Sequence, residues 1–281
     1  MTAAPALPGI EVDRDVPRRA MAEFLAADRL LCAYALADLD PVNAGGARWW
    51  LARRGDAPVA GAVVMVDLAF HPLFVVGDAE GAGLLLRQAM RQARVIVSGP
   101  AELRLVIESI YRLERVDRML RMAVDAGTFV PSEGYRPRRL RPADLNDVID
   151  LYGLASRTYF TPRRLEQEIY FGLFDGASLV AAAGTHVRSR EFGIAAVGNV
   201  LTRPDYRNRG MARACSAAVT VACFEDGHRD VVLNVRDDNA PAIAVYRRLG
   251  FRVHRTFIES VGYRRPAWER MVQNIFKGEN A

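Results

Sequence analysis

Apolar positions recur along this chain with two periods, three-to-four and two, and the switches between them predict alternating helices and strands. Residues 18–39 set Met21, Phe24, Leu25, Leu31, Tyr34 and Leu36 on one side, a helical pattern. Asp40-Pro41 and Asn43-Ala44-Gly45-Gly46 break it. Residues 48–53 and 58–66 read as strands joined across Arg54-Gly55-Asp56-Ala57, which makes a hairpin. A strand at 73–76 leads through a loop at 78–83 to a helix at 84–91. A short strand at 94–97, a helix at 101–111 and a strand at 118–124 follow.

The order then begins again. Pro131-Ser132-Glu133-Gly134, with Pro137 after it, marks a domain boundary. Residues 142–155 predict a helix with Leu145, Val148, Ile149 and Tyr152 apolar, and Thr161-Pro162 starts another. Residues 169–174 and 178–187 form a second hairpin around Asp175-Gly176-Ala177, and 194–202 is the next strand. A helix from Asn208 carries Met211, Cys215, Ala218, Val219 and Ala222 at helical steps. A buried strand at 231–235, a helix at 241–249 stopped by Gly250, and a strand at 251–261 complete the series. Residues 1–16 are expected to be a flexible N-terminus and 266–281 a C-terminal tail with a helix.

The two halves align as distant copies. Gly55-Asp56-Ala57-Pro58-Val59-Ala60 falls on Gly176-Ala177-Ser178-Leu179-Val180-Ala181, and Gly81-x-Gly83 falls where Gly210-x-Ala212 sits. The chemistry at that place differs between the copies. Between the strand ending at Thr202 and the following helix stand Arg207, Asn208, Arg209 and Gly210. A helix start presents unpaired N–H groups, a glycine admits close approach, and two arginines add charge, which together suit a pyrophosphate. The first copy has Asp78 and Glu80 instead, and two carboxylates would repel such an anion.

Arg207-x-x-Gly210-x-Ala212, after a strand and a Pro-x-Tyr turn, resembles the acyl-CoA pyrophosphate loop of the GNAT superfamily of N-acyltransferases. A second block, Asp237-Asp238-Asn239-Ala240-Pro241-Ala242-Ile243-Ala244-Val245-Tyr246-Arg247-Arg248-Leu249-Gly250-Phe251, is similar to that superfamily's other signature in order and spacing. The resemblance implies an α/β (α+β) fold of two tandem GNAT-like domains, each a mixed, mostly antiparallel sheet flanked by helices. A degenerate domain would occupy 17–130 and a catalytic acetyltransferase domain 131–265.

It further implies acetyl-CoA as co-substrate, an amine as acceptor, and direct transfer between them. Backbone N–H groups of Asn208, Arg209, Gly210, Met211, Ala212 and Arg213 would surround the pyrophosphate, with the Arg207 and Arg209 side chains adding charge. Val200, Leu201 and Thr202 would pair with the pantetheine arm as an extra strand does. Asn239 would touch the cofactor; as an asparagine two residues before Pro241 it also suits a helix cap. Tyr246 matches the superfamily's general acid, although its alignment with Ile243 and Leu249 equally fits a core tyrosine. A free phenol (pKa about 10) is a weaker acid than a thiol (about 8.5), so a hydrogen bond to the departing sulfur would carry most of the effect.

The base is missing from its usual place. Many family members carry a glutamate where this chain has Asn234, within Leu233-Asn234-Val235, and an amide takes no proton at pH 7. His186 and Glu168 are the candidates from the substrate side, with a water relay as the alternative. Arg157-Thr158-Tyr159-Phe160 is where acceptor contacts are expected, or else core aromatics. The missing glutamate also keeps open a non-catalytic acyl-CoA-binding regulatory protein.

Composition narrows the remaining classes. At 281 residues the chain has room for about two domains. A content of 51% hydrophobic and 25% charged residues is that of an ordinary globular protein. No run approaches a membrane span and residues 1–16 lack the layout of a secretory signal, so a cytoplasmic protein without membrane contact is expected. The net charge of +5, carried by arginine with Lys277 as the only lysine, suits an anionic co-substrate. No dense basic cluster with interleaved aromatics points to nucleic acid. Cys32, Cys215 and Cys223 have no disulfide or metal spacing, and the four histidines are scattered, so no metal is expected. Cys215 and Cys223 pack as small apolar groups rather than as nucleophiles for a covalent route. A homodimer is one arrangement the sequence leaves open.

Overall fold

The structure, a computed structural model, describes residues 9–68 and 70–266. Its through-space contacts gather into two units, one of residues before Leu120 together with those after Arg255, the other Leu120–Arg255. Each is a mixed α/β unit whose sheet is mostly antiparallel and flanked by helices. No helix among the described residues is long and apolar enough to cross a membrane.

The first unit opens with β1 (Ile10–Asp13), α1 (Arg18–Ala26) and α2 (Ala33–Asp38). β1 corrects the expectation of a flexible segment through residue 16, because it pairs antiparallel with the next strand, Ile10 opposite Arg54. The single helix expected over 18–39 is two. The chain turns between them where the Asp28 carboxylate accepts from the Leu31 N–H at 3.2 Å, the local side-chain competition that Asp offers a helix. β2 (Ala47–Arg54) and β3 (Ala57–Met65) make the expected hairpin, followed by β4 (Pro72–Gly77), α3 (Ala79–Gln88) and β5 (Arg94–Pro100). α3 starts five residues earlier than its apolar pattern suggests, since Asp78 caps it. The helix expected over 101–111 is only α4 (Arg104–Glu108) after a 3-10 turn, and Tyr111 already begins β6 (Tyr111–Leu113).

The second unit starts with β7 (Asp117–Asp125), whose Met122 and Val124 enter its core. It continues through β8 (Arg138–Arg139), α5 (Leu145–Tyr152), α6 (Pro162–Gln167), β9 (Tyr170–Asp175), β10 (Ser178–Ser189) and β11 (Ile194–Thr202). α7 (Met211–Glu225), β12 (Asp230–Arg236) and α8 (Ala240–Arg248) follow, with strand order β7-β12-β11-β10-β9-β8. Gly153, at φ +88°, stops α5 short of the expected 155. α7 starts at Met211 rather than Asn208 because Asn208 (φ +62°) and Gly210 (φ +82°) are left-handed.

The last strand, β13 (Arg252–Arg264), pairs with β5 from Phe257↔Pro100 to Tyr263↔Arg94 and also with β6. The contact boundaries therefore lie at 119/120 and 255/256, not in the Pro-Gly stretch at 131–137 or at 265. A loop-like composition marks an irregular segment, whereas β7 and β13 belong to the sheets on which their apolar residues pack. The C-terminal helix expected from Pro266 lies outside the described residues.

Two apolar clusters sandwich the second unit's sheet. Val180, Ala195, Val197, Leu233 and Val235 pack with Cys215 and Val219 of α7 and with Ile243 and Tyr246 of α8. On the other face Tyr170, Leu179 and Ala182 pack with Val148 and Leu151 of α5, Phe160, and Leu165 of α6. Cys32, Cys215 and Cys223 are buried and form no disulfide, and burial pushes the last two up to about 12.

Candidate active site

The site begins where two strands part. β11 and β12 run parallel in register from Ile194↔Asp230 to Val197↔Leu233 and pair no further, although both continue as strands. Beyond Val197 the backbone groups of β11 that face β12 have no ladder partner, which leaves a slot that an extended chain can enter as an added strand. Val200, Leu201 and Thr202 line that stretch. The Thr202 hydroxyl is buried with no hydrogen bond, and Arg207 Nε donates to the Thr202 carbonyl at 3.3 Å.

The slot ends at the start of α7. Ala214 N–H makes the helix's first bond, to the Gly210 carbonyl at 3.1 Å, so the N–H groups of Met211, Ala212 and Arg213 precede the intrahelical ladder. A Cβ on Gly210 would meet nothing within 4 Å, so the helix mouth is open. Arg207, Asn208, Arg209 and Gly210 are all exposed. Arg209 stays beside the loop through the Asp205 carbonyl (2.8 Å) and the Tyr206 ring, and Arg213 Nε donates to the Ser132 hydroxyl at 3.1 Å. A fifteen-residue helix with its dipole aimed at this cluster favours a polyanion.

The corresponding loop of the first unit is closed on itself. The Asp78 carboxylate accepts from Gly81 N–H at 2.6 Å, and Glu80 pairs with Arg54 at 3.0 Å. A Cβ on Gly81, which aligns with Gly210, would lie 3.0 Å from the Asp78 carboxylate and 3.0 Å from Ala60 Cβ, so this helix start is crowded where the other is open.

Asn239 is the N-cap of α8, its side-chain oxygen accepting from Ala242 N–H at 3.2 Å. Tyr246, on the same helix, is 7% exposed and stands edge-on to Phe251 at 6.0 Å. Burial pushes its phenol up to about 12, and its hydroxyl makes no hydrogen bond among the described residues. A nearly buried hydroxyl in that condition is an unused donor.

The opposite side of β11 holds a polar cluster that the sequence reading touched only in part. The pairing Ala182↔Leu201 is followed by Gly184↔Gly198, so β11 carries an extra residue there, and Asn199 sits at φ +49°. One step on, Thr185↔Val197 is followed by Val187↔Ala196, which makes His186 the extra residue of β10. Asn199 Nδ2 donates to the hydroxyls of Tyr159 (3.0 Å) and Tyr170 (2.8 Å), and Tyr152 donates to its carbonyl. That leaves Asn199 Oδ1 to accept from His186 Nε2 at 3.0 Å, which puts the imidazole lone pair on Nδ1. Burial lowers the His186 pKa, outweighing the hydrogen bond from Asn199, so the ring is neutral at pH 7.

Glu168, the other candidate base, accepts from Thr185 Oγ1 at 2.6 Å and from Arg188 Nε at 3.2 Å, so its carboxylate is already engaged. Asn234 lies between the core residues Leu233 and Val235, which by strand alternation turns it to the face of Asn199, with its Oδ1 buried and unbonded. Of the segment expected to meet the acceptor, Tyr159 joins the cluster while Phe160 is core at 3% exposure. Tyr170 and Asn199 were not singled out in the sequence, and Tyr152 was read there only as an apolar helix position. The one available signal was Gly198-Asn199 inside a strand pattern, a pair that suits a bulge.

Residues 140–251 match the model of the acetyltransferase (GNAT) family. A mycothiol acetyltransferase of Clavibacter sepedonicus is 38% identical over 95 residues, 31% of this chain and 31% of that protein. The chain thus spans between 18% and 31% of the length of the curated relatives it matches. A GCN5-related N-acetyltransferase from Sphaerobacter thermophilus superposes with a TM-score of 0.56 at 22% identity, over 93% of this chain and 98% of its own. A tandem GNAT protein from the clavulanic acid biosynthesis pathway does so with a TM-score of 0.54 at 15% identity, over 92% and 100%. These two structures share the fold over nearly the whole chain, the first unit included.

Proposed function

We propose that the second unit, whose residues 140–251 match the acetyltransferase (GNAT) family, transfers an acetyl group from acetyl-CoA to an amine. The observation that carries this reading is the parting of β11 and β12 beyond Val197 and Leu233, opening toward the uncapped start of α7. Backbone N–H groups of Asn208 to Arg213 hold the pyrophosphate, Arg207 and Arg209 add charge, and Val200, Leu201 and Thr202 bind the pantetheine arm as a strand would. The open space at Gly210 and the unbonded Thr202 hydroxyl fit that occupant. Asn239 keeps its cap and contributes one contact from the other side.

Acetyl-CoA supplies an acetyl group activated as a thioester. In the transfer a bond forms from the amine nitrogen to the acetyl carbon and the carbon–sulfur bond breaks. The electron pair goes to sulfur, and the amine's surplus proton must be taken up. Tyr246 donates a hydrogen bond to the departing sulfur; with its phenol pushed up to about 12 it does so without full proton release. His186, neutral and with its lone pair on Nδ1, is the better placed of the two candidate bases, because Glu168 is committed to Thr185 and Arg188. The first unit does not bind coenzyme A in this mode, since Asp78 and Glu80 fill its loop.

Thermal shift with acetyl-CoA tests the reading. Ligand at a hundred times its Kd stabilises by about 2.7 kcal/mol. The wild type should gain this and Gly210→Asp should not, and coenzyme A release should then follow on addition of an amine. No shift in a folded wild type defeats the proposal. A shift without turnover on any amine favours a non-catalytic acyl-CoA-binding protein, the reading to which Asn234 in place of a carboxylate lends weight.

A further inference from the structure

Arg164 differs from Arg138, Arg188 and Arg203 of the second unit in lacking an acidic partner among the described residues. Arg138 pairs with Asp144 at 2.7 Å, Arg188 with Glu168 and Asp226, and Arg203 with Asp150. Arg164, on α6 and half-buried, meets no carboxylate among the described residues. Its Nη1 donates to the Tyr159 hydroxyl at 3.2 Å, and its guanidinium carbon stands 4.2 Å from the centre of that ring. The stacking offsets part of the cost of removing a cation from water but leaves the remaining N–H donors unused.

The position of this cation matters. The Tyr159 hydroxyl that accepts from Arg164 also accepts from Asn199 Nδ2, so the guanidinium is two hydrogen bonds from the bulge beside Val200. Its charge also disfavours protonation of His186, adding to the larger effect of burial. A neutral base and a guanidinium without a carboxylate partner therefore occur around one bulge. Guanidinium forks match carboxylates in shape and charge, and a fork stacked on an aromatic ring is already oriented for one.

We propose that the acceptor is a primary amine carrying a carboxylate, an α-amino acid or close analogue, whose carboxylate is bound by Arg164 while its amine lies at His186 and Asn199. This rests on the acyl-transfer reading of the same site. Arg164 acts in specificity, through substrate affinity, and takes no part in proton transfer.

The test uses the full chain, with acetyl-CoA binding checked first by thermal shift in the wild type and in Arg164→Met. Coenzyme A release is then followed with free amino acids, their carboxamides and the corresponding decarboxylated amines. At least one amino acid should exceed its carboxamide by about tenfold or more in kcat/KM. Arg164→Met should erase that preference through KM, so that the acid and its carboxamide are used alike, and Arg164→Lys should restore part of it. The retained acetyl-CoA thermal shift of Arg164→Met separates lost recognition from misfolding. Carboxamides used as well as the acids, or a preference that survives Arg164→Met, overturns the proposal.

A readout without turnover stands beside this one. With coenzyme A present, the same amino acids should raise the melting temperature of the wild type and not of Arg164→Met. If none does, carboxylate binding at Arg164 is wrong. If acetyl-CoA itself fails to bind, the acyl-transfer reading has failed, and the carboxylate proposal falls with it.

Discussion

His186 and Asn199 are the extra residues of two facing bulges, and they hydrogen-bond to each other across β10 and β11 at 3.0 Å. Each bulge alone would shift the register, and together they restore it, with Ala181↔Thr202 on one side and Ser189↔Ile194 on the other. The imidazole also covers Gly198, where a Cβ would come within 2.5 Å of the ring. The strand irregularity is thus held open by side chains.

Asn199→Gly follows directly from this relationship. Glycine accepts the φ of +49° without strain but deletes the bonds to Tyr159, Tyr170 and His186. The variant should fold, lose about 1–3 kcal/mol of stability, and lose at least about tenfold in transfer rate. Its acetyl-CoA thermal shift should stay at the wild-type size. Wild-type turnover in Asn199→Gly would mean that the bulge backbone suffices without its side-chain clamp.

Tyr246→Phe separates chemistry from packing. The ring stays in its place against Phe251, and the hydroxyl it loses bonds to nothing among the described residues, so the melting temperature should change little. If the phenol serves the leaving sulfur, kcat should drop by about a hundredfold with acetyl-CoA affinity intact. An unchanged kcat would reduce Tyr246 to a core residue.

The sequence and the structure agree best where one local rule acts alone. The hairpins, the strand leading to Thr202 and the helix after Asn239 were readable because period, turn residues and cap coincide. The α3 start was misjudged because Asp78, read as loop charge, is the helix's cap. The boundaries moved for a different reason: β13 pairs with β5, more than a hundred and fifty residues away in sequence, and no local pattern encodes such a partner. The same limit applies to the cluster at Asn199, whose members come from α5, the segment after it, β9, β10 and β11. Each of those residues is ordinary in its own window.

Asp38 gives the first unit a measurable pH dependence. Burial, and then the nearby Asp67 carboxylate, raise its pKa from the usual carboxylate range to about 7. A raised folded-state pKa means that the folded chain holds this proton after the unfolded chain has released it. Asp38 therefore contributes stability fully below about pH 4, and loses it as the pH rises toward about 7. Asp38→Asn should remove that slope, and above pH 7 the variant should be the more stable by on the order of a few kcal/mol. Melting curves for both proteins between pH 4 and 8 check it, and parallel curves would place Asp38 in water.

Asp78→Ala probes the difference between the two loops. Asp78 caps α3 through Gly81 N–H at 2.6 Å, and Arg54 reaches its carboxylate at 3.8 Å and Glu80 at 3.0 Å. Losing the cap should cost about 1 kcal/mol, while the exposed ion pairs add little. Removing one carboxylate leaves Glu80 and the close packing of Gly81 on Ala60, so no new coenzyme A site should appear. Titration of acetyl-CoA should give one site per chain in both the wild type and Asp78→Ala. It should give none in Gly210→Asp, because the open helix start in the second unit is the only one of the two loops with room for phosphate. A site that persists in Gly210→Asp and disappears in Asp78→Ala would move co-substrate binding to the first unit.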